Sequence, residues 1–333
     1  MGGSKTILNK EYFVGIDIGA TNTKAIAMNR VGKIFYEKIL PTESEKGPKE
    51  VIKKIISLMN NFIYNESFAY KKLCAIGVAV AGVVDMKEGI CKFLPNFPTG
   101  WRDIPLAKII KESIDSQVFL INDVRAMTLG EKKFGAGKGV KNLVCIALGT
   151  GIGGGIVIDD KLYFGSEGFA GEIGHQVIDL YGPKCGCGNY GCWESLASGT
   201  NFTVQAIRLV KEGATTMIRD LVDNDLNKIN PEIIVEAATR GDSIAKEILE
   251  KEAYFLGVGI ANLLVILNPE MIILGGGMAK AINLLVEGIR KTIRQRVYMV
   301  PNVDKLRIVR SELQDKAGVV GAATWAMLNL SKI

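Results

Sequence analysis

The feature that most constrains how this chain folds is a repeated theme: short apolar strands joined by glycine-rich turns. "EYFVGIDIGATNTKAIAMNRVGKIFYEKI", Glu11 to Ile39, reads as strand, glycine turn, strand, a second turn at Arg30–Lys33 and a third strand. "KNLVCIALGTGIGGGIVIDDKLYFG", Lys141 to Gly165, repeats the order. Such turns are too short for crossover connections, so each stretch dictates an antiparallel meander. Buried strands and helices follow each meander. After the first come apolar residues at helical spacing (Val51, Ile52, Ile55, Ile56, Met59, Phe62) and "LCAIGVAVAGVVD", read as one buried strand. The helix "IPLAKIIKESI" and a strand in "QVFLINDVRA" that ends at Asn122-Asp123 complete this half. After the second come helices from Thr200 to Ile266, a strand and glycine turn in "PEMIILGGGMAKA", a last strand in "LRIVRSEL" and a small-residue helix, "AGVVGAATWAMLNL". This alternation predicts a duplicated α/β fold of two domains with a cleft between them. The expected division is a smaller domain over 1–123 and a larger one over 124–316, with the boundary near residues 123–140 and the C-terminal helix, 317–333, packing back on the first. A chain of 333 residues is long enough for two cores.

The composition excludes several classes. The net charge is only +6 and the lysines are scattered, so no basic tract points to nucleic acid. No apolar run reaches the ~18 residues of a membrane helix. The start, "MGGSKTILNK", lacks the apolar region of a signal peptide and reads as a tail. A cytoplasmic protein with reduced cysteines is expected. Cys74, Cys91 and Cys145 sit singly in or beside apolar segments and read as core filling.

Three glycine turns carry candidate chemistry. In "GIDIGATNTK", Gly19 lets backbone approach a phosphate, Thr21 offers a hydroxyl, and Asp17 is an acceptor for Mg²⁺ or its waters. "LGTGIGGG" repeats the pattern with Gly149, Thr150, Gly151, Gly153 and Gly154. "LGGGM", with Gly275, Gly276 and Gly277, stands at a strand end ahead of a helix, where N–H groups face an anion. Any one of these alone reads equally well as a tight β-turn. Three at strand ends, two with a threonine, favour a nucleotide. Neither a Walker A sequence nor a spaced G-x-G-x-x-G opening a βαβ unit is present, which argues against P-loop and Rossmann enzymes.

A third feature lies between Gly171 and Ser195. "GEIGHQVIDLYGPKCGCGNYGCWES" holds the only histidine of the chain, His175, with Cys185, Cys187 and Cys192. In a reducing compartment this spacing reads as a closed tetrahedral zinc site, since three cysteines among glycines make a poor core segment. Four protein ligands leave no position for water, so the zinc is expected to be structural. It would pin a loop that carries Glu172 on one side and Glu194 on the other. One His175 nitrogen would hold zinc while the other faces a ligand oxygen.

Together these motifs resemble the ROK sugar kinases of the actin-like ATPase (ribonuclease H-like) superfamily, from about Phe13 to the C-terminal helix. "GIDIGATNTK" is similar to the family's first phosphate motif, with Ala20 in place of a second glycine. "LGTGIGGGIV" is similar to its signature, and "GEIGH" with "CGCGNYGCWES" to its zinc motif. The resemblance implies an actin-like ATPase fold and ATP- and Mg²⁺-dependent phosphorylation of a hexose. It extends the nucleotide set to Asp17, Gly19, Thr21, Asn22, Thr23 and Lys24. Asp123 matches the catalytic base, although on sequence alone a helix N-cap is the stronger reading. Gly82, Asn96, Asn122, Glu172, His175 and Glu194 match sugar-binding positions; around Asn96 the chain has one residue more than the family pattern. The run "CGCGNYGCWESLASGT" resembles the glucokinase branch. The expected partners are glucose, ATP and a second copy of the chain in a homodimer or higher homo-oligomer. N-acetylmannosamine kinase and a catalytically silent sugar sensor are the alternatives. The family's repressors carry an N-terminal helix-turn-helix; here the first strand begins near Tyr12, so that branch is not expected.

Overall fold

The computed structural model describes residues 11–63, 71–98, 100–299 and 303–331. The first ten residues, read above as a tail, lie outside that range. The chain divides into two compact units, one of residues up to 139 together with those from 315 onward, the other of residues 140–314.

In the first unit, β1 (Glu11–Ile18), β2 (Asn22–Met28) and β3 (Ile34–Pro41) form the first meander. Helix α1 (Gly47–Ile63) buries Val51, Ile52, Ile55, Met59 and Phe62 along one face, the stripe its spacing dictates. Strand β4 (Lys72–Val80) pairs parallel with β1. The stretch read as one strand through "GVVD" is broken at Ala81-Gly82. A Cβ on Gly82 would overlap the Phe93 carbonyl oxygen, and β5 (Val83–Asp85) turns away to pair with β6 (Ile90–Phe93). β7 (Arg102–Ile104) completes that small sheet, and α2 (Leu106–Ile114) leads to β8 (Val118–Asn122) and α3 (Asp123–Phe134). The main sheet has the order β3-β2-β1-β4-β8.

The second unit repeats this plan. β9 (Leu143–Leu148), β10 (Ile152–Ile158) and β11 (Lys161–Tyr163) form its meander. Next come helices α4 (Trp193–Ala197), α5 (Gly199–Lys211), α6 (Met217–Leu221), α7 (Pro231–Thr239) and α8 (Ser243–Leu267). β12 (Met271–Gly275), α9 (Ile282–Arg296) and β13 (Arg307–Arg310) end it, with the sheet order β11-β10-β9-β12-β13. The two sheets match strand for strand: an antiparallel meander followed by two parallel strands. No helix among the described residues is long and apolar enough to cross a membrane. Cys91 and Cys145 are buried, while Cys74 is only partly so.

The C-terminal helix, Ala317–Leu330, returns to the first unit and lies on β1, β4 and α3. It can do so because glycines leave room for carbonyl groups at four points of contact. A Cβ on Gly15 would overlap the Val319 carbonyl, one on Gly77 the Ala322 carbonyl, one on Gly130 the Ala317 carbonyl, and one on Gly321 the Ala126 carbonyl. Trp325 Nε1 donates to the Leu120 carbonyl oxygen at 2.8 Å. This packing explains why the division falls after Gly139, at the far end of the 123–140 stretch, rather than immediately after Asp123. Helix α3 starts at Asp123, and Gly130 and Ala126 lock it to the C-terminal helix, so it belongs to the first unit.

Gly77→Ala is expected to destabilise the fold by ~3 kcal/mol, because backbone atoms on both sides leave no flexible group to yield. Urea unfolding of the variant against the parent reads this directly. A midpoint unchanged at equal slope would mean that the helix is not seated as described.

Candidate active site

The first unit presents two groups of candidate residues. At the β1–β2 turn, Asp17 stands opposite Lys24 and Ile18 opposite Thr23. The Gly19 N–H donates to the Asn22 carbonyl at 3.1 Å, leaving Thr21 and Asn22 exposed at the tip. Thr23 is buried, and its hydroxyl meets Thr42 Oγ1 at 2.9 Å. Thr42 Oγ1 in turn donates to the Gly19 carbonyl at 2.7 Å. The Thr23 hydroxyl therefore stiffens the hairpin from within rather than facing solvent as a phosphate contact would. Lys24 Nζ lies 3.2 Å from Asp315 Oδ2, just ahead of the C-terminal helix. The Asp17 carboxylate rests against Gly318 in the first turn of that helix. Burial pushes Asp17 up to about 6, with Lys24 opposing the shift. A carboxylate so disfavoured in its charged form is one that a divalent cation would stabilise.

The second group lies at the end of β8. The expected N-cap role falls to Asn122 rather than Asp123: Asn122 Oδ1 accepts from the N–H groups of Val124 (3.0 Å) and Arg125 (3.2 Å). Its Nδ2 donates to the Gly82 carbonyl at 3.2 Å and to Asp123 Oδ1 at 2.9 Å. One amide thus starts the helix, ties down the β4–β5 bend and orients the Asp123 carboxylate. Asn96 is exposed in the β6–β7 loop, above the buried pair Phe97 and Trp101.

The second unit gathers the other two glycine turns into one pocket of ≈ 430 Å³. Gly149 and Thr150 form one wall and Gly277 another, with Met278, Val204 and Pro231 as apolar surfaces and Thr200, Thr203 and Glu232 as polar ones. Gly276 has φ +82°, and a Cβ there would overlap the Leu148 carbonyl, so only glycine lets this turn reach the end of β9. The pocket's helical side, from α5 and α7, was not marked out by sequence reasoning. Gly153 and Gly154 of "LGTGIGGG" lie inside β10, Gly153 opposite Ala147 and Gly154 opposite Ile146. A Cβ on Gly154 would crowd Ile173 and the Gly171 carbonyl, so Gly154 serves to seat the Glu172 loop.

That loop carries the metal cluster. The ligand atoms of His175, Cys185, Cys187 and Cys192 lie within 4.8 Å of one another. Cys187 and Cys192 Sγ are 3.7 Å apart, and Cys185 Sγ is 3.8 Å from His175 Nδ1. Two thiolates on one tetrahedral zinc ion at the usual bond length stand about 3.7 Å apart, so the donor set fits that ion. The Nδ1 face of His175 points into the cluster. Glu172 is exposed at the start of the short turn Ile173–His175. Glu194, in α4, points instead toward the glycine turn: its Oε2 accepts from the Ile152 N–H at 2.9 Å. Burial pushes the Cys185 thiol up and the Cys192 thiol up to about 12, whereas the Asn189 backbone N–H draws Cys187 down.

Metal ligation needs thiolates, so binding must release protons and weaken as pH falls. Freshly purified protein is expected to carry one zinc per chain at neutral pH and to lose it progressively on acidification. Elemental analysis across a pH series checks both statements, and protein isolated without zinc would refute them.

The chain is similar to known proteins. A glucokinase of Thermotoga maritima is 34% identical over 95% of this chain and 97% of its own. A xylose repressor of Caldicellulosiruptor bescii is 32% identical over 96% of this chain and 80% of its own. Among solved structures, a ROK family glucokinase from Streptomyces griseus in complex with glucose and AMPPNP aligns at TM-score 0.81 and 32% identity, covering 95% of this chain and 99% of that one. It supports the actin-like α/β fold that the two equivalent sheets express. The sequence matches the ROK family over residues 13–328, and the protein therefore belongs to that family.

Proposed function

We propose that this protein is an ATP-dependent hexose kinase that phosphorylates the 6-hydroxyl of glucose. The observation that carries the reading is the fixed carboxylate of Asp123, held at a strand end by the amide that caps its helix. A group so positioned suits a general base. In the proposed reaction the sugar oxygen attacks the γ-phosphorus, its proton passes to Asp123, and the bond to the ADP leaving oxygen breaks. The glycine-walled pocket of the second unit has the size and the mixed apolar and polar lining that a nucleotide needs, with Gly149, Thr150 and Gly277 toward the phosphates. Mg²⁺ bound to the triphosphate would neutralise charge there, and Asp17 is the residue suited to hold it or its water. Gly82, Asn96 and Asn122 in one unit and Glu172, His175 and Glu194 in the other are the proposed sugar ligands, with a structural zinc ion on the Glu172–Glu194 loop. A cytoplasmic homodimer or higher homo-oligomer completes the proposal, on the family resemblance alone. The similarity to a xylose repressor favours a second reading, a sugar sensor without phosphoryl transfer. Asp17 and Asp123 weigh against it, because a pure binder needs neither a base nor a metal acceptor.

Two measurements test this. ADP release with a panel of sugars should give kcat/KM highest for glucose, then mannose, then N-acetyl hexosamines. A site built to hydrogen-bond hydroxyls loses a partner when an acetamido group replaces one, at a cost of up to ~10⁴-fold. A higher kcat/KM for N-acetylmannosamine would move the assignment to that sugar, and no turnover with any sugar would favour the sensor. Asp123→Asn should lower kcat by ~10²-fold or more while glucose affinity by calorimetry stays near that of the parent. If kcat stays within a few-fold, Asp123 is not the base.

A further inference from the structure

The sequence assigns the metal loop to the sugar and the glycine turn to the nucleotide, as separate parts. The second unit joins them. Cys192 is a metal ligand and also the N-cap residue of α4, and eight residues later the chain has reached Thr200 in α5. Within that short segment three groups grip the "LGTGI" turn in succession. The Gly199 N–H donates to the Gly149 carbonyl at 2.8 Å. Thr200 Oγ1 donates to the Thr150 carbonyl at 2.8 Å. Glu194 Oε2 accepts from the Ile152 N–H at 2.9 Å, and a Cβ on Gly151 would overlap that same oxygen. The other Glu194 oxygen lies 3.8 Å from Cys185 Sγ. A single carboxylate thus touches the metal cluster with one oxygen and the backbone of the glycine turn with the other.

We infer that Glu194 is a positioning residue that couples metal occupancy to nucleotide affinity, by holding the Gly149–Ile152 turn in the shape that receives the phosphates. Ligation would fix Cys185, whose Sγ lies 3.8 Å from Glu194 Oε1, and Cys192, two residues before Glu194, and so hold the carboxylate on the Ile152 N–H. Without the ion these cysteines separate, and a carboxylate on a two-torsion stem no longer outcompetes water for that N–H. The turn then has to be ordered by the nucleotide itself, which lowers affinity. The core does not depend on this contact. Trp193, next to Cys192, is fully buried against Gly259 of α8 and anchors the segment whether or not metal is present.

The coupling rests on the pocket being the nucleotide site, and the test separates the two claims. ADP is titrated by calorimetry into the zinc-loaded full chain without sugar, then into protein stripped by chelator, with hydrogen exchange of the Ile152 amide followed in both. Stripping should raise the ADP Kd about tenfold and speed exchange at Ile152. Glu194→Ala, kept zinc-loaded, should show the same two changes, and stripping it should weaken ADP binding no further. Glu194→Gln keeps an acceptor oxygen for Ile152 and should restore most of the affinity. If the loaded protein does not bind ADP, the nucleotide assignment fails, and Ile152 exchange still decides the coupling. If stripped protein or loaded Glu194→Ala binds ADP like the parent and Ile152 stays protected, the inference is wrong. Should stripped protein unfold, the loaded Glu194→Ala and Glu194→Gln pair decides alone.

Discussion

The first unit depends on a contact in which backbone meets backbone at four glycines. The C-terminal helix sits on β1, β4 and α3 at points where Gly15, Gly77, Gly130 and Gly321 each leave room for a carbonyl of the opposing element. Close approach of this kind maximises dispersion contacts per residue and admits no substitution. It also fixes function-bearing geometry. The helix brings Gly318 against Asp17 and places Asp315 beside Lys24, so the chain's last element sets the surroundings of its first turn. Residues some 300 positions apart in sequence are thereby one local structure, in the proposed reaction the environment of the phosphates.

The two units share a sheet order yet secure their glycine turns differently. In the first, hydroxyls do the work: Thr23 and Thr42 close the base of the β1–β2 hairpin, and Thr42 reaches the Gly19 carbonyl. In the second, the Cys192–Thr200 segment holds the β9–β10 turn from outside. Each turn closes itself with one backbone hydrogen bond, Gly19 N–H on the Asn22 carbonyl and Gly149 N–H on the Gly151 carbonyl, and each is braced from outside, the first by Thr42 just after β3 and the second by the Cys192–Thr200 segment. The shared topology thus carries two different braces, a difference visible only at the level of hydrogen bonds.

What was legible in the sequence follows the strength of local signals. The meanders, α1 and the β8–α3 junction were legible because alternation, helical spacing and glycine turns act over a few residues. β6 and β7 were not, since strands of four and three residues carry no period. The metal cluster was legible because cysteine and histidine are rare and their spacing is chemical. Val204, Pro231 and Met278 were not recognised in the pocket, because apolar residues on helices look the same whether they face a core or a ligand. The cap at Asn122 was misassigned by one residue. Either side chain of "ND" suits the role, and only backbone torsions distinguish the cap from the first helical residue. Where in 123–140 the division falls was not legible for a non-local reason: the partner of α3 lies at the far end of the chain.

The segment from Gly171 to Gly191 shows why a metal is the economical way to order this part of the molecule. Ile173 is buried in the core near its start, but from Asp179 to Tyr190 only Cys185 is buried: Leu180 is 80% exposed and Tyr181 98% exposed, at the tip of a turn closed by the Gly182 N–H on the Asp179 carbonyl. Its backbone order includes the isolated bridges of Val177 with Cys192 and Lys184 with Tyr190, the Ile178 N–H on the Gly191 carbonyl, and Gly191 itself, where a Cβ would overlap the Asp179 carbonyl. Such a loop lacks the apolar area to offset its own ordering entropy. A four-ligand ion can supply that free energy directly, through bonds that also fix direction. In the proposed function ligation fixes the backbone at His175, and the side chains of Glu172 and His175, both exposed on either side of the buried Ile173, are the ones offered to a polyhydroxylated ligand.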